Sequence, residues 1–363
     1  MKIPYAIPAF GGNEGKYIIN ALKSTWISGG EYVNKLEEWF TKTLQRKHAL
    51  AVSNGTAALH LVYLGLGIKT GNEVIVPGFA FMAAANVLVN INAIPIFADV
   101  DSDTWCITAE SIESKITKKT KAIVPIHTYG NVCDMDKIME LATSNSIPVI
   151  EDGAEALFST YKGKYCGTFA ELGIFSMHAT KTITTGEGGL VICDDDKLAE
   201  LMSMYRNHGL PKRGCYNHVV AGLNFRLSNI QAALGCAQVE NVENIIAGRQ
   251  RVFEVYKNYL EKQDGIRLQY YKPEVEPVVW AVAVKLDDRA FPQGRDSVVT
   301  QLKELGIETR PGFVASSLLG YFSPHHLPIS ESLSNSVISL PTYPSLSNDD
   351  ISLICESLIH EKK

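Results

Sequence analysis

Lys181 stands in a run of hydroxyls and glycines, Phe175-Ser-Met-His-Ala-Thr-Lys181-Thr-Ile-Thr-Thr-Gly-Glu-Gly-Gly189. An amine just past an apolar run can form a Schiff base when its surroundings lower its ammonium pKa. The plainer reading of such a lysine is a solvated loop residue. About thirty residues earlier, Asp152 closes the apolar run Ile147-Pro-Val-Ile150. A carboxylate at the carboxyl end of a parallel strand sits where open α/β sheets bind ligands, and it can pair with the ring nitrogen of a cofactor that serves as an electron sink. It can equally cap the helix that follows. A third feature, Ser53-Asn-Gly-Thr-Ala57, lies between strand-like and helix-like segments. Its N–H groups and hydroxyls can cradle a phosphate at a helix N-terminus, or simply make a tight connection.

These residues need elements to hold them. Apolar runs at 50–53, 74–76, 94–97, 122–126, 148–150, 173–176 and 190–193 read as buried strands, because parallel strands covered on both faces lose polar alternation. Helical spacing fills 56–67, 81–92, 135–144 and 197–206 between them. The pattern predicts an α/β domain with a mostly parallel central sheet. After Ser228 the spacing predicts one long helix over 229–259, a strand over 277–284 and a helix near 297–305, giving a smaller C-terminal α+β domain. We expect a large domain over 1–240 and the smaller one over 241–363.

The 363 residues are 46% hydrophobic and 20% charged with a net charge of -5, the balance of a soluble globular protein. Without a basic patch nucleic acid is not an expected partner. Neither a secretory signal nor an apolar run long enough to span a bilayer is evident, so no membrane association and a cytoplasmic location are expected. The seven cysteines are scattered and never form C-x-x-C, which suggests neither disulfides nor a metal site; most read as small buried side chains. His127 and Tyr129 read equally as core residues or site contacts, whereas Trp105 and Trp280 read as packing residues.

The segments SNGTAALHL (53–61), EVIVPGFAFMAAANVL (73–88), VPIHTYGNVCDMDKI (124–138), the run 151–189 and NFRLSNIQAALGCAQVE (224–240) together resemble the nucleotide-sugar aminotransferases of the DegT/DnrJ/StrS type. Their fold is the three-layer, mostly parallel sheet of the aspartate aminotransferase-like (fold-type I) enzymes that use pyridoxal 5′-phosphate (PLP). The resemblance covers nearly the whole chain and is nearest to the sugar 4-aminotransferases, GDP-perosamine synthases among them.

The resemblance implies that Lys181 carries PLP, that Asp152 faces its pyridine nitrogen, that Gly55, Thr56, Ala57 and Ser176 hold its phosphate, and that Phe81 stacks on its ring. Glu155 matches a residue beside the phenolic oxygen. Asn224 matches an asparagine that reaches the neighbouring subunit's cofactor, implying a homodimer with shared active sites. Trp26, Ser28, His178 and Arg310 fall where relatives line the sugar or nucleotide pocket. The implied partners are a nucleotide-linked keto-sugar, aminated at C4, and L-glutamate as donor. Amination at C3 of a dTDP- or UDP-linked keto-sugar and a non-catalytic sugar-nucleotide-binding regulator are the alternatives. Lys181 argues against a sugar 3-dehydratase, which has histidine there, and the absence of G-x-G-x-x-G at 53–57 argues against a nicotinamide-dependent oxidoreductase. Ala80, Gly153 and Met177 stand where the family commonly has threonine, alanine and an aromatic residue.

Overall fold

The computed structural model describes residues 2–212 and 214–362. All seven expected strands form: β1 (His48–Val52), β2 (Glu73–Pro77), β3 (Ile94–Ala98), β4 (Thr120–Ile123), β5 (Ile150–Asp152), β6 (Leu172–Ser176) and β7 (Gly189–Cys193). β2 pairs in parallel with β3 and β4, and β5 with β6. Parallel bridges Ile123–Val149 and Ile126–Asp152 join β4 to β5. β7 runs antiparallel between β6 and β1. The order is therefore β3-β2-β4-β5-β6-β7-β1 with one reversed strand, and β5, β6 and β7 are buried along their whole length.

Helices cover both faces. On one side Leu36, Phe40, Ile138 and Ala232 pack together, and on the other Leu59, Leu61, Leu88 and Met202. Caps set the helix starts. The Asn54, Asp134 and Asp195 side chains accept from Ala57, Lys137 and Leu198 N–H, and Ser228 forms a capping box with Gln231.

The C-terminal region builds an antiparallel sheet from Ile266–Leu268, Ala283–Leu286, Val337–Ser339 and Arg310–Pro311, in that order. It packs on helices Val242–Leu260 and Asn348–His360 around Val252, Tyr256, Val284, Ile338 and Ile354. Ile3 joins the same core.

Two expectations are corrected. The single helix over 229–259 is two helices, Asn229–Glu240 and Val242–Leu260, because Asn241 leaves helical geometry at φ -108° and ψ 13°. The first half is buried around most of its surface, while the second buries Ile245 in the large-sheet core and Val252, Tyr256 and Leu260 in the C-terminal core, with Arg249 between them. The strand expected over 277–284 is confined to Ala283–Leu286. Val278 N–H donates instead to Ser159 Oγ and Trp280 N–H to the Tyr129 carbonyl, which holds this segment against the large sheet.

Candidate active site

Beyond Ser176 the chain folds into a tight loop before returning as β7. Met177 N–H donates to the Gly188 carbonyl, and Thr185 N–H and Thr184 Oγ1 donate to the Met177 carbonyl. The hydroxyls of the threonine-rich run thus satisfy the loop's own backbone. Lys181 rises from this loop with its side chain only 14% exposed. Its Nζ lies 3.8 Å from Glu155 Oε1 and 3.5 Å from the centre of the Trp280 ring. Burial lowers its pKa; the charges of Glu155 and Asp152 oppose that shift, and Arg249 adds to it. A lysine in this setting gains reactivity as a base and nucleophile.

Asp152 ends β5 and is buried, which pushes its pKa up to about 6 against the opposing pulls of the Ala154 N–H, Lys181 and His127. Glu155 is also raised, chiefly by burial, with Lys181 and the Tyr129 N–H pulling the other way. Two buried acids and a buried amine therefore face one cavity, a cluster of perturbed groups of the kind that marks functional sites.

The opposite wall is the start of helix Gly55–Gly65. Asn54 Oδ1 takes the Ala57 N–H, while Gly55 and Thr56, whose N–H groups have no intrahelical acceptor, line the cavity. A Cβ on Gly55 would lie 3.2 Å from Ser176 Cβ, so glycine keeps an opening between helix start and Ser176 that suits a phosphate. Phe81 is 62% exposed and lines the same space. The cavity measures about 710 Å³. A larger groove of about 960 Å³ runs beside Phe253–Glu261, but its acids and lysines are exposed or half-exposed and none is placed as Lys181 is. Chemistry, not size, selects the Lys181 cavity.

The family profile of the DegT/DnrJ/EryC1/StrS aminotransferases matches residues 8–359. The chain belongs to that family. It is 41% identical over 359 residues to the GDP-perosamine synthase of Escherichia coli O157:H7, covering 98% of this chain and 97% of that protein. To the Caulobacter vibrioides GDP-perosamine synthase it is 38% identical over 365 residues, covering 98% and 97%. Among solved structures, the aminotransferase TlmJ from Streptoalloteichus hindustanus superimposes with a TM-score of 0.94 at 26% identity, over 99% of this chain and 98% of that one. Helicobacter pylori PseC, an aminotransferase involved in the biosynthesis of pseudoaminic acid, gives the same figures. The chain is a PLP-dependent aminotransferase of the fold-type I kind. The donor set fits PLP: a buried amine, a buried carboxylate across from it, a glycine-opened helix start and an exposed aromatic wall.

Gly55, Thr56, Ala57, Phe81, Asp152, Glu155, Ser176, His178, Lys181 and Arg310 all line this one cavity. Arg310 lies 5.6 Å from the Tyr5 ring centre and pairs with Glu308. Trp26, Ser28 and Asn224 are not brought there. Ser28 lines a separate cavity of about 420 Å³ with Asn207 and Arg226. The Trp26 carbonyl accepts from Asn229 Nδ2 nearby, and Asn224 bridges Asn207.

Sequence reasoning missed Tyr5, Phe313 and Trp280, which also line the cavity, and Arg249 behind it. Trp280 is corrected from a packing residue to a wall of the site. His127 is a core residue, bonded to Glu151 and to the Cys133 N–H, whereas Tyr129 lines the cavity. Gly153 has a local reason: a Cβ there would lie 2.6 Å from Phe175 Cε1. All the cysteines but Cys215 are buried. Among the described residues no helix is long and apolar enough to cross a membrane.

Proposed function

We propose that this aminotransferase moves an amino group from L-glutamate to C4 of a GDP-linked 4-keto-6-deoxy sugar. The carrying observation is the full-length similarity to GDP-perosamine synthases from three bacteria, at 36–41% identity, joined to the complete set of Lys181, Asp152, Glu155 and Phe81 in one cavity. PLP bound there supplies an electron sink for the carbanion that forms at the donor and acceptor carbons. Lys181 Nζ carries the cofactor, takes the α-proton of the donor and delivers a proton to C4 of the sugar. Asp152 keeps an anion at the ring nitrogen, Ser176 and the helix start hold the phosphate, and Arg310 and His178 face the nucleotide sugar. A relative 30% identical over 98% of this chain is the spore coat polysaccharide biosynthesis protein SpsC of Bacillus subtilis, in keeping with an amino sugar made in the cytoplasm for polysaccharide.

The test is a half-reaction screen. The protein is converted to its pyridoxamine form with glutamate, then offered GDP-, dTDP- and UDP-linked keto-sugars while the cofactor spectrum is followed. Restoration by the GDP-linked 4-keto sugar is expected. Restoration only by a dTDP- or UDP-linked 3-keto sugar overturns the assignment.

The same reading makes the active unit a homodimer. Asn224, Trp26 and Ser28 lie off the Lys181 cavity of their own chain, and Ile27, Tyr216 and Val219, near them in sequence, are exposed; these residues fit a role in the partner's site. Mixing inactive Lys181→Ala and inactive Asn224→Asp chains should restore activity, because one site of each mixed dimer combines an intact Lys181 with an intact Asn224. No recovery after exchange verified by mass spectrometry of tagged chains overturns the shared site.

A further inference from the structure

Trp280 is held from four directions. Its Nε1–H donates to the Thr180 carbonyl at 2.8 Å, its N–H donates to the Tyr129 carbonyl, and its own carbonyl accepts from Arg249 Nη1 at 2.9 Å. The Tyr129 ring lies nearly parallel to the indole at 6.0 Å, and Phe313 continues the stack beyond Tyr129. Gly130 lets the segment approach: a Cβ there would lie 2.5 Å from the Val278 carbonyl oxygen. Tyr129 itself sits at a φ of 58°, a conformation that a bulky residue adopts only when its surroundings impose it.

Arg249 ties this frame to the lysine. It is 3% exposed, and its guanidinium donates to the carbonyls of Lys181 at 3.1 Å and Trp280 at 2.9 Å. Its partners there are backbone oxygens alone. The outcome is that Lys181 Nζ lies nearer the indole centre, at 3.5 Å, than any carboxylate oxygen, Glu155 Oε1 being 3.8 Å away. The face of an indole attracts an ammonium weakly compared with a buried ion pair. Such a seat orients the amine while holding its proton less tightly than a carboxylate in direct contact would, the charges of Glu155 and Asp152 already opposing its loss.

We propose that Trp280 is a positioning residue of the transamination, its indole seating the Lys181 ammonium between proton transfers, with Arg249 and the Thr180 carbonyl pinning the indole. The inference rests on Lys181 being the lysine that moves the proton.

A graded perturbation separates this role from packing. Tryptophans bearing one to four fluorines, placed at position 280, weaken the cation–π attraction stepwise at nearly constant shape. The primary readout is Lys181 acylation by a small reagent in the cofactor-free protein, measured against pH by peptide mass spectrometry. Glu155 and Asp152 from the strand side, His60 from the helix after Asn54, Tyr5 and Tyr129, His178 and Glu187 from the lysine's own loop and Arg310 from the C-terminal sheet line the same cavity, Arg249 stands behind it on the long helix, and all stay unchanged through the series.

Because the indole favours the charged amine, its weakening lowers the labelling midpoint, by about one pH unit over the full series. The thermal midpoint stays level. Trp280→Phe should fall within the series and Trp280→Leu at its far end. In the holoenzyme kcat should fall roughly tenfold with little change in KM for glutamate. A labelling midpoint that stays constant across the series overturns the proposal, whatever the activity. Full turnover by Lys181→Ala overturns the reading beneath it.

Discussion

Glu151 and Asp152 are neighbours on β5, both carboxylic acids and almost equally buried, at 0% and 4% relative exposure. Strand alternation sends them to opposite faces of the sheet, and their surroundings could hardly differ more. Glu151 accepts from Gly167 N–H at 2.7 Å, from Ala170 N–H at 2.5 Å and from His127 Nε2 at 3.3 Å. The His127 tautomer follows from its other nitrogen, which accepts the Cys133 N–H. Asp152 takes one N–H, from Ala154, and turns its remaining acceptor capacity to a cavity. A buried carboxylate with its lone pairs occupied by its own chain is a structural tie. One with capacity left over is reserved for a ligand, and its raised pKa records the cost of that reservation.

The largest expected effect lies on the cavity side. Lys181→Ala removes the proton carrier and covalent tether but little core volume. Turnover should fall by at least about 10⁴-fold, while circular dichroism and the thermal midpoint stay near those of the parent. Measurable parental turnover would show that the cavity is not the reaction centre.

The next effect lies on the structural side. Glu151→Gln replaces an acceptor-only group with an amide whose NH₂ must face either the Ala170 N–H or both the Gly167 N–H and His127 Nε2. A stability loss of about 3 kcal/mol in urea unfolding is expected. The folded fraction should keep a nearly parental kcat, since Glu151 faces away from the cavity. A kcat loss at unchanged stability would erase the contrast between the two faces.

The sequence carried the architecture well because strands inside a covered sheet announce themselves as unbroken apolar runs, and every one of the seven, the antiparallel β7 included, appears within a few residues of its expected place. Lys181, Asp152 and the Gly55 turn were legible for the same reason: each follows or ends such a run. Trp280 and Arg249 were not. They lie about 100 and 70 residues beyond Lys181 in the chain, in a segment whose spacing reads as strand and on a helix face whose spacing reads as core. Only the folded contacts reveal that Trp280 bonds back to Thr180 and that Arg249 bonds to Lys181. The break at Asn241 was hidden because asparagine is no strong helix breaker; only the packing shows that Ala232, Cys236 and Val239 before it belong to one core and Val252, Tyr256 and Leu260 after it to another. Trp26 and Ser28 stood apart because position in a motif fixes which element a residue sits on, not which cavity it lines.

Asp152→Asn probes the reserved carboxylate directly. It retains the oxygen that accepts the Ala154 N–H but removes the anion proposed to face the ring nitrogen. Turnover should drop by about 10²-fold, the scale of losing one preorganised electrostatic contact. PLP binding, followed by its visible absorbance, should persist. A near-parental rate would return Asp152 to the capping role that its Ala154 contact alone describes.

The same substitution should stabilise the cofactor-free protein, and the sign follows from the direction of the shift. In the unfolded chain Asp152 titrates near 3.8, whereas in the folded protein burial raises it to about 6. Between those values the folded state binds more protons, so stability falls as pH rises through that window and levels off above it. The shift amounts to about 3 kcal/mol of destabilisation at neutral pH, at about 1.4 kcal/mol for each pH unit. An asparagine carries no such charge but buries an amide, which returns about 1 kcal/mol of desolvation cost. Asp152→Asn should therefore gain about 2 kcal/mol over the parent at pH 7.5, and the gain should disappear as pH falls toward 4. Glu151→Gln should show a loss, not a gain, at pH 7.5. Urea unfolding of both cofactor-free variants across this range decides the matter. If Asp152→Asn is destabilised at neutral pH, then its carboxylate is already satisfied by groups of this chain, and the two faces of β5 do the same work.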